Sequence, residues 1–252
     1  MKFKEYSVDV WSKIDRAIAQ AKKEDPHPVA AFDADGTLWD TDLGEMFFKY
    51  KIANNMVPMP NDPWQYYQDL KKKNNDPREA YLWLAKIMKG VPISTVKSWA
   101  QSGVDANSPI PVFNEQKKLI EKLLLADVQV FIVTASIKWA VEPGSKLVGL
   151  RPENVIGVMT EVVDGKVTDK NFGIMTYRKG KADALLQATG GKYPFLASGN
   201  SIGDFELLSA ATKIRLCVSA ATSANQELYS SEKKLFEMAA QANSPEWILH
   251  HF

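Results

Sequence analysis

An open α/β fold, a parallel sheet with helices on both faces, is what this 252-residue chain predicts from three observations. Apolar runs of strand length recur along it, at 28–32, 128–133, 154–158, 195–197 and 214–218. Segments with helical spacing lie between them, and that alternation builds a parallel sheet. The first run ends in Asp33-Ala34-Asp35-Gly36-Thr37, two carboxylates where a strand gives out. Open α/β folds place their ligands at that edge of the sheet.

The elements follow in order. Trp11, Ile14, Ala17, Ile18 and Ala21 recur at helical spacing over 9–23, a helix ahead of the first strand. Residues 40–111 then show no convincing strand and read as helices over 43–52, 64–73, 78–88 and 94–100. Pro58, Pro60 and Pro63 punctuate this insert, and Asp76-Pro77 is a helix start signal. Asn107-Ser108-Pro109-Ile110-Pro111 reads as a hinge out of it. Alternation resumes with a helix over 113–125, a strand to 133, a helix over 137–147 and a strand over 154–158. Residues 160–168, centred on Asp164-Gly165, have the pattern of a β-hairpin. Residues 214–218 form a further apolar strand with Cys217 in it. No internal repeat or low-complexity segment is evident.

Composition excludes several classes of function. Thirty-one Lys and Arg against 30 Asp and Glu leave a net charge of +1, unlike a nucleic-acid surface. Lys71-Lys72-Lys73 and Lys233-Lys234 are short enough to be solvated helix faces. A single cysteine rules out an internal disulfide framework. The apolar stretches are too short to span a bilayer, and residues 1–15 carry charges throughout with no apolar signal region. A cytoplasmic protein without membrane or nucleic-acid partners is therefore expected, unless a leader was removed. Composition sets no oligomeric state. No G-x-S-x-G is present, and His27, His250 and His251 lie at the margins of the pattern, against a serine hydrolase. No P-loop occurs either.

Strand geometry points residues i and i+2 to one side, so Asp33 and Asp35 are expected to converge. Crowded carboxylates repel and call for a cation or a shared proton. Gly36 permits a sharp turn and Thr37 can hold it. Asp and Gly are also ordinary turn residues, but a plain turn does not account for the apolar run that leads into this one.

Asp33-x-Asp35-Gly36-Thr37 resembles the first signature of the haloacid dehalogenase superfamily, whose phosphatases carry D-x-D-x-[TV]. The run 128–133 ending in Thr134 is similar to the second signature, and Lys179-Gly180-Lys181 to the lysine-bearing third. Gly199-Asn200-Ser201-Ile202-Gly203-Asp204 resembles the fourth, G-[DN]-x-x-x-D. Four signatures in order, across nearly the whole chain, make the resemblance strong, and within the superfamily the chain looks like the phosphoserine- and phosphocholine-phosphatase-like branch. The resemblance implies a Rossmann-like core of residues 1–40 and 111–252 and an inserted all-helical cap of residues 41–110 over the sheet's C-terminal edge.

It also implies chemistry: Mg²⁺-dependent hydrolysis of a small phosphorylated metabolite through an aspartyl-phosphate. Asp33 is then the nucleophile, and Asp35 the acid that protonates the leaving alkoxide and later activates water. Thr134, with the N–H groups of Ala135 and Ser136, is expected to hold the phosphoryl oxygens at the start of a helix. Lys179 is the expected phosphate-binding lysine, because the branch has its lysine just before a glycine, and Lys181 the solvated one. Mg²⁺ falls to Asp33, the carbonyl of Asp35, Asn200 and Asp204. Asn200 stands where most members have a carboxylate, and the direct ligand is left open between Asn200 and Asp204.

For the substrate, Asp42 and Glu45 lie where relatives meet a cationic amine. Leu84 stands where the phosphoserine enzymes place an arginine. Trp39, Trp64, Tyr66, Tyr67, Tyr81, Trp83 and Trp99 are able to box an ammonium or simply to pack the cap. An amine-bearing ester such as phosphocholine, phosphoethanolamine or phosphoserine is the expected substrate. The alternatives are a phosphomutase, a phosphonatase using a cap lysine such as Lys49 or Lys51, and a non-catalytic phosphate-ligand-binding protein.

Overall fold

The computed structural model describes residues 3–223, 226, 228–242 and 244–252. It opens with α1 (Val8–Glu24), capped by the Ser7 hydroxyl, followed by β1 (Val29–Phe32). The insert supplies α2 (Leu43–Ala53), α3 (Pro63–Lys72), α4 (Arg78–Lys86) and α5 (Ile93–Ala106). Then come α6 (Asn114–Leu125), β2 (Gln129–Ile137), α7 (Lys138–Ser145), β3 (Val155–Val163) and β4 (Lys166–Phe172). The chain ends with α8 (Lys179–Ala188), β5 (Pro194–Gly199), α9 (Phe205–Ser209), β6 (Ile214–Ser219), α10 (Tyr229–Gln241) and β7 (Trp247–His251).

Among the described residues the strands form one seven-stranded sheet in the order β4-β3-β2-β1-β5-β6-β7. Every neighbouring pair is parallel except β3 with β4. β1 reads Val-Ala-Ala-Phe, buried throughout, because a central parallel strand is covered on both faces. Ala30 and Phe32 join one apolar cluster with Ile14, Ile18, Leu119 and Leu123 of α1 and α6. Val29 and Ala31 join another with Leu185, Leu207, Leu235 and Phe236 of α8, α9 and α10. The chain moves outward from β1 through β2 to β4, then returns to β5 on β1's other side. The order thus reverses at β1, and the crevice outside its C-terminal end is the ligand position of an open sheet.

The insert is helical, as expected, apart from an isolated bridge between Pro92 and Lys166. Asp62 caps α3 ahead of Pro63, and Asp76 accepts a bond from Arg78 N–H at the start of α4. α5 runs on to Ala106 rather than ending at 100, and its last turns bury Gly103 and Val104. The two connections to the core pair with each other: Asp40 N–H donates to Pro111 and Phe113 N–H to Leu38. Gly90 N–H donates to Val167, Val167 N–H to Val91 and Ile93 N–H to Gly165, which ties the insert to the β3–β4 hairpin by backbone bonds. That hairpin turns at Asp164-Gly165, both with positive φ. β3 runs unbroken from Val155 to Val163 instead of stopping at 158, since its outer half pairs with β4. β7, which covers the far edge of the sheet, has no counterpart in the sequence reading. No helix among the described residues is long and apolar enough to cross a membrane.

The insert also buries a lysine that no carboxylate pairs with among the described residues. Lys51 is fully enclosed in α2, its ammonium 4.6 Å from the Phe47 ring centre and 3.2 Å from the Leu84 carbonyl. Burial lowers its pKa from 10.5 to about 7. The folded chain thus binds fewer protons than the unfolded one between pH 7 and 10.5, and stability rises with pH across that window. Lys51→Met is expected to stabilise the protein at pH 7 by about 3–5 kcal/mol, raising Tm by roughly 10 °C for a chain of this size. Thermal unfolding at pH 7 and pH 10 checks it: the gap from wild type should shrink at the higher pH, and an unchanged Tm at pH 7 refutes it.

Candidate active site

The Asp33 N–H donates to Ser198 at 2.9 Å, carrying the β1–β5 ladder one residue past β1. The chain then folds into a tight turn in which Thr37 and Leu38 N–H donate to Ala34 and Gly36 N–H to Trp39. Gly36 has a φ of +78°, and a Cβ there would lie 2.2 Å from the Asn200 amide nitrogen. Backbone conformation and space both demand glycine at this point.

Asp33 and Asp35 line one small cavity but have separate partners. Asp33 Oδ2 lies 3.4 Å from the Thr37 hydroxyl, and its Oδ1 receives a lysine. Asp35 Oδ1 accepts the Trp39 indole N–H at 2.8 Å and the Leu43 N–H at 2.9 Å, while Oδ2 accepts the Ser136 hydroxyl at 2.6 Å.

The lysine is Lys181, which corrects the expectation of Lys179. Lys181 is 3% exposed, with Nζ 2.5 Å from both Asp33 Oδ1 and Asp204 Oδ1. The Lys179 side chain is 79% exposed and pairs with Asp183 one turn along α8. Residues two apart lie on nearly opposite sides of a helix. Lys181 shares the buried face with Ala182, Ala184 and Leu185. Gly180 lets the preceding loop close over the helix start, where a Cβ would come within 1.9 Å of the Met175 carbonyl. Helical spacing from Leu185 was the available signal.

Thr134, Ala135 and Ser136 also line the cavity, but from within β2. Between Val133 and Ile137 β2 advances four residues while β3 advances two, from Ile156 to Val158. The segment therefore bulges out of the ladder, and the helix starts only at Lys138, beyond the expected N-terminus at 137. No helix start lies beside Thr134. The Ser136 N–H donates to the Thr134 hydroxyl oxygen at 3.0 Å, and the Thr134 carbonyl accepts the Thr176 hydroxyl.

Asp204 is enclosed, its Oδ2 accepting the Asn200 and Ser201 N–H groups and the Ser201 hydroxyl. Asn200 Oδ1 lies 3.1 Å from the Thr37 hydroxyl, and its Nδ2 donates to Glu232 Oε1 at 2.9 Å. Asn200 borders the cavity beside Asp33. Sequence reading missed Glu232, although it sits on the apolar face of α10 with Leu235, Phe236 and Ala239, an unusual place for a carboxylate.

Residues 30–209 match the haloacid dehalogenase-like hydrolase family, which covers well over half of the chain. The chain belongs to the haloacid dehalogenase-like hydrolases. Among solved structures similar to this hydrolase are a protein of unknown function from Anaerococcus prevotii DSM 20548 and another from Bordetella pertussis Tohama I. The first has a TM-score of 0.71 at 15% identity over 98% of this chain and 94% of its own. The second has 0.68 at 18% identity over 89% and 98%. Phosphoserine phosphatase as a phospho-aspartyl intermediate analogue has a TM-score of 0.53 at 14% identity, over 89% of this chain and 93% of its own. These likenesses establish a shared fold. No curated protein matches the sequence significantly.

Burial sets the electrostatics of the hydrolase site. Burial raises Asp33 to about 7 with the help of Asp204, against the pull of Lys181. Burial raises Asp35 too, opposed by its hydrogen bonds from Ser136, Leu43 and Trp39. For Lys181 burial works the other way, but Asp204 and Asp33 outweigh it and hold the ammonium above its ordinary pKa.

The small cavity, about 100 Å³, meets a larger one of about 770 Å³ at Asp42, Tyr81 and Leu228. Asp42 caps α2, and burial, Asp35 and Glu45 push its pKa well up. Glu45 lines the larger cavity and accepts the Lys71 ammonium at 2.9 Å. Most of the aromatics pack the insert instead of facing a ligand: Phe48 meets Trp64, Tyr67 and Trp83, and Trp99 packs beside them. Lys49 already lies 4.3 Å from the Trp64 ring centre. Of the seven aromatics singled out in the sequence, Tyr81 alone borders these cavities among the described residues. Lys51 borders neither.

The residues around Asp33 fit a magnesium ion. Asp33 Oδ2 and Asn200 Oδ1 flank one hydroxyl, that of Thr37, and both are hard oxygen donors. Lys181 occupies the other oxygen of Asp33. Among the described residues no three His, Cys, Asp or Glu side chains form a closed cage. Mg²⁺ needs none, because it retains several waters and takes one or two carboxylates.

Proposed function

We propose that this hydrolase is a Mg²⁺-dependent phosphatase that passes the phosphoryl group of a small monoester to Asp33 and then to water. The observation that carries the reading is the Lys181 bridge between Asp33 Oδ1 and Asp204 Oδ1. It fixes the Asp33 carboxylate at the wall of the small cavity and supplies positive charge where the transferring group gathers negative charge. Asp35, which lines the same small cavity, is raised by burial and so suited to protonate the leaving alkoxide and then to take a proton from water. Thr134, with Ala135, offers donors to the phosphoryl oxygens, and Ser136 steers Asp35 through its hydroxyl. Asp33, the carbonyl of Asp35 and Asn200 would hold Mg²⁺, with Asp204 acting through Lys181. When bound, the ion neutralises phosphoryl charge. The shared fold with phosphoserine phosphatase supports the same reading.

The leaving group falls in the larger cavity, where Asp40, Asp42, Glu45 and Glu232 outnumber Lys49 and Lys71. Asp42, at the junction of the two cavities, is held toward its neutral form by burial and by Asp35 and Glu45, and a cation beside it would favour its ionised form. It therefore favours an ester with an ammonium group, such as phosphocholine, phosphoethanolamine or phosphoserine. Phosphate release with Mg²⁺ from these and from glycerol phosphate tests the reading. Asp42→Asn should lower kcat/KM for the ammonium esters by about tenfold, the effect of roughly 1.4 kcal/mol, and for glycerol phosphate much less. Equal losses would remove Asp42 from recognition. No release from any ester, a generic aryl phosphate included, would favour a binding protein.

A further inference from the structure

Glu232 takes no part in the phosphoryl transfer proposed above, yet it is a carboxylate only 3% exposed on the apolar face of α10. Among the described residues its partners are neutral: the Asn200 amide at 2.9 Å on Oε1, and the Ser219 hydroxyl at 2.5 Å and Ala221 N–H at 3.1 Å on Oε2. Burying a charge without a countercharge costs several kcal/mol, so the position calls for a reason.

Asn200 supplies one. An ionised carboxylate only accepts hydrogen bonds, so the amide face toward Glu232 must be the nitrogen. The amide oxygen is thereby forced to the opposite side, 3.1 Å from the Thr37 hydroxyl that also neighbours Asp33 Oδ2. The glycine at 36 leaves room for the amide in that orientation. An amide lacks the negative charge of a carboxylate, and Glu232 restores it one residue further from the cavity floor.

The geometry points to Glu232 as the positioning residue of a divalent-cation site: it holds the oxygen of Asn200 toward the ion and supplies the charge that Asn200 lacks. This rests on the magnesium reading above. Glu232 also borders the larger cavity, but its Oε1 is committed to Asn200 and its Oε2 to Ser219 and Ala221.

Magnesium binding to the purified full chain, by calorimetry and by competition with Mn²⁺ in spin resonance, tests this without any turnover. In Glu232→Gln the new carboxamide keeps its oxygen on Ser219 and Ala221 and turns its nitrogen toward Asn200. Two donors then face each other, the Asn200 amide flips, and the Mg²⁺ Kd should rise about 10–100-fold, as for loss of a ligand's orienting partner. Asn200→Asp alone opposes two carboxylates across the 2.9 Å contact and should lower Tm. The double variant N200D/E232Q restores a donor-to-acceptor contact and the original charge, and its Kd should return to near the wild-type value. A merely structural role for Glu232 predicts no such rescue. Wild-type-like binding by Glu232→Gln, or a double variant no better than Glu232→Gln, overturns the inference. A wild type that binds neither ion overturns the magnesium reading with it.

Discussion

Asp33→Asn is expected to abolish phosphate release, by at least about 10⁴-fold in kcat, while the protein stays folded. The amide keeps the volume of the carboxylate and its contacts with Thr37 and Lys181, but it cannot form the acyl phosphate. Loss of fold does not mimic this result. Burial and Asp204 hold Asp33 near 7, above its unfolded value, so the folded chain binds the extra proton between about pH 4 and 7. The stability this group contributes is present at low pH and lost as pH rises through 7. A neutral amide removes that loss, so Tm at pH 8 should not fall. Single-turnover assays with a phosphorylated substrate, run beside thermal unfolding, decide the matter. A variant within tenfold of the wild-type rate would falsify the assignment of Asp33 as nucleophile.

The second large effect separates two lysines that lie two residues apart. Lys181→Met leaves Asp33 and Asp204 facing each other in a buried site without the ammonium that bridges them. Breaking such an arrangement costs about 3–5 kcal/mol of stability, and loss of a preorganised charge at the transferring group costs about 10²–10³-fold in kcat. Lys179→Met removes one exposed pair with Asp183, worth about 0.3–0.5 kcal/mol, and should leave kinetics at wild-type values. Steady-state kinetics and Tm for both variants form the test. Normal turnover in Lys181→Met with a loss in Lys179→Met would reverse the assignment.

How much of this was legible beforehand depended on the range of the forces involved. The strand into Asp33 was readable because its burial on both faces forces four consecutive apolar residues. The hairpin at Asp164-Gly165 was readable because two successive positive φ values select those residue types. The helices of the insert showed through their spacing and their capping residues. Lys181 was misjudged by comparison of motifs, although Leu185 one turn later already marked its face as the buried one.

Other features depend on contacts between segments far apart in the chain. The bulge at Thr134–Ser136 exists because Gly157 of β3 leaves space, a Cβ there lying 3.0 Å from Lys138 Cα and the Ser136 carbonyl. The insert's aromatics looked free for a ligand, and their packing against Phe48 is visible only once α2, α3 and α4 are assembled. The bond from Asn200 to Glu232 joins residues 32 positions apart.

By itself, then, the sequence determined the sheet apart from β7, the helical insert and the order of the four motifs, because patterns of burial and backbone conformation are written in neighbouring residues. The tertiary structure alone decided which lysine meets Asp33, which way the Asn200 amide points and which aromatics are left for a ligand. Those depend on side chains from separate elements competing for one buried space, where charge and hydrogen-bonding capacity have to be matched across the fold.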